Sequence, residues 1–148
     1  VSNDLNILPV TAGGATALNF DNAGGTFVTG SHTTAQKFVT FLLAQLGSVL
    51  HSLDFGTDFV YDMRSGILRN EAELSLAFAT VVSDAADYQQ EVTAVSDPEG
   101  TTPPSELFQS ATLNNFEYVG DRLILNITVI TQDGSTEDIA LPIVVVET

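Results

Sequence analysis

The chain of 148 residues contains no cysteine and no tryptophan, and only 4 lysines and arginines. Without a thiol there is no disulfide framework, no thiolate metal site and no cysteine nucleophile, and the redox compartment leaves no trace in the sequence. The scarcity of bases stands against 19 acids, a formal net charge of -15 and a pI near 4.1. Such a surface repels phosphate backbones and anionic lipid, and aromatic and basic residues nowhere interleave, so neither nucleic acid nor membrane is an expected partner. From Asp84 onward the one base is Arg122, and the acidity concentrated there either keeps a surface solvated or draws a basic partner. Long apolar runs are missing too. None approaches the roughly 18 residues of a membrane span, and Val1 to Pro9 lacks the basic start and apolar centre of a signal peptide. The sequence therefore reads as soluble, with no visible address.

What is present fits one globular domain, since 15.7 kDa with 44% hydrophobic residues can close a core without metal or disulfide. Residues 1 to 34 are poor in charge and rich in Gly, Ala, Thr and Asn. Ala17 to Phe20 and Thr26 to Val28 suit two short strands joined by the turn-forming Asp21 to Gly25, so a small hairpin or an extended arm is expected. Gly13-Gly14 and Gly24-Gly25 have no following lysine or strand-to-helix context, too little for a phosphate loop.

From Ser31 the pattern becomes helical, with Thr33 and Gln36 spaced as a capping box. Apolar residues recur at Ala35, Phe38, Val39, Phe41, Leu42, Leu43 and Leu46, and Gly47 is expected to end the helix as a left-handed cap. Gly56 then permits a tight turn, after which Thr57 or Asp58 caps a short helical piece reaching Gly66. Asn70 and Glu73 open a second long helix whose buried face is Leu74, Ala77, Phe78, Val81, Val82, Ala85 and Tyr88, with Asp84, Asp87 and Glu91 on the wet side. Ser96 to Ser105, rich in proline, reads as a loop.

Beyond it the period shortens from 3.6 to 2. Strands are expected at Leu107 to Val119, Arg122 to Thr131 and Thr136 to Val146, joined by turns at Gly120-Asp121 and Asp133-Gly134 in an antiparallel meander with both long helices on one face. The last strand is apolar on both faces, and Pro142 favours an edge whose free side either pairs with another chain or is covered by the N-terminal arm.

Chemistry is hard to find. Asp54, Asp58 and Asp62 would align on one helix, but Gly56 interrupts it, and they lack the alternating oxygens and closing glutamate of a calcium loop. Glu71 with Glu73, or Asp54 with Glu71, has no tryptophan platform for a sugar beside it. His32 and His51 lie in no nucleophile motif and read as cap or loop residues. Asn126-Ile127-Thr128 matches a glycosylation sequon but lies inside an expected strand.

Gln36-Lys37-Phe38, then Leu42 to Ser48, then Asp54-Phe55-Gly56-Thr57-Asp58-Phe59 form a helix, a Gly-Ser and an aromatic-Gly-Thr in a fixed order. In this order of parts, and in Gly66 to Glu71 with the helix and strands that follow, the chain resembles the baseplate wedge family of contractile phage tails, which has counterparts in contractile injection systems and type VI secretion. The likeness spans about residues 25 to 147. Ser48-Val49 and Ser52-Leu53 replace the Arg and Pro that family members often carry, and no Glu-Pro-Arg triplet follows the long helix, so contacts of those residues are not carried over. The resemblance implies a nonenzymatic virion subunit of the tail baseplate, present in several copies per assembly. It would be clamped by large wedge proteins around the tail hub and would offer the sheath subunit a place to join.

The sequence thus predicts an α+β domain over 35–148 with an N-terminal arm over 1–34, no cofactor and no enzymatic activity. Partner contacts are expected at Gly47, Ser48, Asp54, Phe55, Gly56 and Thr57 for the wedge. Strand addition is expected at Ile139, Leu141, Ile143, Val144, Val145 and Val146 for the sheath, with Leu123 to Thr131 as the neighbouring strand. A carbohydrate-binding or host-recognition module, and a cell-wall hydrolase using Glu71 or Asp54, are the alternatives from other classes.

Overall fold

The computed structural model describes residues 30–68 and 70–144 in full, and three short strands before them by their backbone. The elements run β1 (Asp4–Leu5), β2 (Ala15–Ala17), β3 (Phe27–Val28), α1 (Ser31–Leu43), α2 (Phe59–Arg64), α3 (Glu71–Ser96), a 3-10 turn (Pro104–Glu106), β4 (Phe108–Val119), β5 (Arg122–Thr131) and β6 (Thr136–Val144). This is an α+β fold in which β4, β5 and β6 make the expected antiparallel meander and the helices cover one face of it.

The alternation in β5 decides the layering. Leu123, Leu125, Ile127 and Val129 are buried, whereas Ile124, Asn126, Thr128 and Ile130 are half-buried on the opposite face. Across the register the buried set meets Ile139, Leu141 and Ile143 of β6. Onto this floor α1 lays Ala35, Phe38, Val39 and Leu42, and α3 lays Leu74, Phe78, Val81 and Ala85. Phe38 is the hinge of the core: its ring stacks on Phe108 at 5.0 Å and meets Phe78 edge-on at 6.1 Å. Each such side chain contributes about 1.5–3 kcal/mol when buried.

The long helix follows its sequence signal. The Asn70 side chain accepts from the Glu73 amide at 2.9 Å, and Asp84, Asp87 and Glu91 are exposed. The start of α1 differs from the expected capping box. Gly30, at φ +67°, precedes the first turn with no side-chain cap, and the buried Thr33 hydroxyl has no hydrogen-bond partner among the described residues. Two acids distant in sequence meet that positive helix end instead. The Ser31 hydroxyl donates to Glu137 at 2.9 Å and the Gly30 amide to the buried Glu106 at 3.5 Å, while His32 lies 3.7 Å from Glu137.

The structure bears on two expectations about the arm. Phe27–Val28 pairs with Asp4–Leu5; the rest of the expected hairpin, Leu18 to Thr26, lies outside the described residues. Ala15–Ala17 pairs in parallel with β6, matching Ala15 to Asp138 and Ala17 to Ala140. The sheet order is therefore β2-β6-β5-β4, and over Asp138 to Ala140 the arm covers the free side of β6, the second of the two alternatives. The expected strand also extended to Val146; Val145 and Val146 lie outside the described residues.

The open face of the sheet is partly tied together. Asn114 donates to Thr128 at 2.7 Å, and Thr128 donates to Asp138 at 2.7 Å, a rung crossing all three strands. Asn126 and Asn115 make the next rung. The sequon residues Asn126 and Thr128 are thus engaged in cross-strand pairs.

Candidate functional site

Helix α1 ends at Leu43, before Gly47, because a residue beyond the following loop takes over its last turn. Thr57 donates its hydroxyl to the Leu42 carbonyl at 3.0 Å and its amide to the Ala44 carbonyl at 2.7 Å. The Leu46 amide in return reaches the Thr57 carbonyl at 3.2 Å. Gln45 and Thr57 form a parallel bridge, so the loop from Ala44 to Asp58 is closed at its neck. Its two ends approach so closely that only glycine fits at position 56: a β-carbon there would lie 2.6 Å from the Ala44 carbonyl oxygen, and φ is +105°. Gly47 is left-handed as expected, at φ +79°, but it serves a turn in which the Ser48 amide bonds Gln45. It does not cap the helix.

The loop is also held at its middle. The Phe55 ring lies edge-on to Phe41 at 5.3 Å and to Tyr88 at 5.4 Å, and Phe41 and Tyr88 approach to 5.5 Å. The hydroxyls of Ser52 and Tyr88 are 3.2 Å apart. Neck and ring cluster together fix a compact surface loop of the Ω type. What it displays is apolar: Leu46 is 50% exposed, Val49 38%, Leu50 82% and Leu53 65%. They form an exposed apolar group on a fixed loop, away from the core.

The expected contact residues divide accordingly. Gly47, Ser48 and Asp54 are exposed on the loop, whereas Gly56 and Thr57 are buried in the neck and Phe55 is half-buried in the ring cluster. The last three shape the surface without lying on it. The loop itself was legible from Gly47 and Gly56, but its four displayed apolar residues were not singled out, since sequence alone does not tell which apolar side chains of a loop turn outward. The bracketing pair Gly47 and Gly56 was the available sign that the helix does not continue.

On the sheet, Ile139, Leu141 and Ile143 point into the core, and Val144 is 42% exposed. Arg64 of α2 donates to the Val144 carbonyl at 2.9 Å from outside the ladder. Alternate residues of a strand aim their backbone groups the same way, so the donor that Pro142 lacks falls on that same side. Among the described residues, strand pairing there stops at Ala140.

Among the described residues, the acids and histidines singled out in the sequence are not brought together in one site. Asp54 stands in the loop, Asp58 occupies the N-cap position of α2 without a side-chain cap bond and Asp62 lies in its first turn, so no single helix aligns them. Thr57, not Asp58, accepts from the Phe59 amide, at 3.3 Å. Among the described residues no group of three or more His, Asp or Glu is placed to hold a metal. Glu71 and Glu73 occupy the first turn of α3, where negative charge favours the helix end. His51 is exposed in the loop.

A cavity of about 270 Å³ adjoins the loop between α1 and α3, with Phe38, Phe41, Phe55, Tyr88, Val92 and Phe108 among its walls. Comparison with protein families, with curated proteins and with solved structures finds no match to the chain.

Proposed function

We propose that this chain is a nonenzymatic assembly subunit, serving as a wedge component of a contractile tail baseplate of the kind its Ala35 to Gly66 stretch resembles. The observation that carries the reading is the cinched loop with Leu46, Val49, Leu50 and Leu53 held outward. A loop fixed at neck and middle loses little freedom when a partner covers it, which favours binding. Large wedge proteins are the proposed occupants of that surface, in the tail of the virion. The strongly acidic charge keeps copies of the chain apart unless a neutral or basic partner lies between them.

Templating of the sheath by strand addition belongs to the same reading, in narrower form. With β2 on Asp138 to Ala140, an incoming strand of the sheath subunit would join β6 from Leu141 onward. The test is coexpression with the products of neighbouring genes. The double substitution Leu50→Asp with Leu53→Asp should abolish coelution with the large partner while leaving the melting curve unchanged, and Val144→Glu should block sheath assembly alone. Coelution and normal tails from both variants would sink the reading.

A further inference from the structure

The cavity beside the loop belongs to no step yet assigned. Its floor is aromatic, from Phe38, Phe41, Phe55, Tyr88 and Phe108, and Val92 of α3 is 42% exposed at its edge. At about 270 Å³ it is smaller than the roughly 300–1,000 Å³ of sites that enclose a cofactor or metabolite, and suits one or two apolar side chains of something larger. Its two long walls are helices, whose backbone groups are satisfied internally, so an extended segment would find no ladder to join. A helix, which carries its own hydrogen bonds, loses nothing there.

Charge selects the occupant further. Helical spacing puts Asp84 and Glu91 on the flank of α3 next to Tyr88, and Asp54 directly precedes Phe55 on the loop. Lys37, on the opposite wall, is the one base lining the cavity, and Glu106 is buried with the Gly30 amide bonded to it. A second copy, also at -15, would be repelled. We infer that the cavity receives the apolar anchor of a partner's amphipathic helix whose basic flank lies against α3 and the loop. This rests on the docking reading above and names the chemistry of the partner.

The absence of tryptophan from the chain gives a clean probe. Two short amphipathic peptides share one Trp and a leucine stripe, one flanked by lysines and the other by glutamates. Titrating the full chain into each should produce a saturable blue shift of Trp emission with the lysine peptide alone. Val92→Lys should weaken it about tenfold, a loss of about 1.4 kcal/mol, whereas Leu76→Lys, equal in charge and 71% exposed near the other end of α3, should leave it unchanged. No shift, equal shifts for both peptides, or equal weakening by both variants would overturn the inference. If Leu50→Asp with Leu53→Asp abolishes coelution yet the peptide does not bind, the groove inference fails and the docking reading stands. If the peptide binds as expected but coelution survives those loop changes, the loop reading fails instead.

Discussion

The side-chain amide of Gln89 pairs with both backbone groups of Phe108: its nitrogen donates to the carbonyl at 3.0 Å, and its oxygen accepts from the amide. A helix side chain thus occupies the place an added strand would take at the beginning of β4. Replacing Gln89 with Leu should leave both groups of the buried Phe108 unpaired and cost about 1–3 kcal/mol in urea unfolding. Gln89→Glu keeps the acceptor and loses the donor, and should fall between the two.

The neck of the loop gives a contrast between two left-handed glycines. Gly56→Ala forces a β-carbon against the Ala44 carbonyl and should destabilise by about 2 kcal/mol or more, whereas Gly47→Ala meets nothing within 4 Å and should cost only the conformational strain of about 1 kcal/mol. Thermal melts of the two variants measure the difference. Equal costs would mean that the close approach at the neck contributes nothing.

Thr57 is expected to act through its hydroxyl. Thr57→Val conserves shape but removes the bonds to the Leu42 carbonyl and from the Phe59 amide, and should lose about 1–2 kcal/mol. Thr57→Ser should recover most of it. Hydrogen exchange at the end of α1 reads whether the final turn loosens or lengthens toward Gly47.

Acid should loosen the turn after α3. The hydroxyl and amide of Thr101 and the amide of Thr102 donate to Asp97, and they hold its carboxyl well below the ordinary carboxylate range. A depressed folded value means that the stabilisation is complete above the unfolded value of about 3.9 and is lost as pH falls from there toward the folded one. Asp133, held down by the Thr131 hydroxyl and the Ser135 amide, behaves alike. The stability gap between the native chain and Asp97→Asn, measured by denaturant at several pH values, should be constant near neutrality and narrow below about pH 4.

Local signals were the legible ones. Asn70 with Glu73 fixed the start of α3, and the alternation from Leu123 to Val129 fixed the inward face of β5, because cap and period are written in adjacent residues. The end of α1 was not legible, since Thr57 sets it from across the loop and nothing near Leu43 announces the stop. Ala15–Ala17 carries no alternation and no bulk, so its pairing with β6 is a long-range match that no local pattern encodes. In the candidate site the bracketing glycines were readable: Gly56 lies in the neck and Gly47 in the turn beside it. That Leu46, Val49, Leu50 and Leu53 are displayed was not readable, because their exposure follows from the ring cluster that holds Phe55 and from the neck bonds of Thr57.

The parallel pairing of β2 with β6 joins residues near the beginning of the chain to residues near its end. During synthesis β2 leaves the ribosome well ahead of β6, its partner in the sheet. Closing so long a loop carries a large entropy cost that only a preformed meander can offset. Until β2 pairs, the outer edge of β6 is bare over Asp138 to Ala140. A strand offered before that pairing would compete with β2 for the same edge.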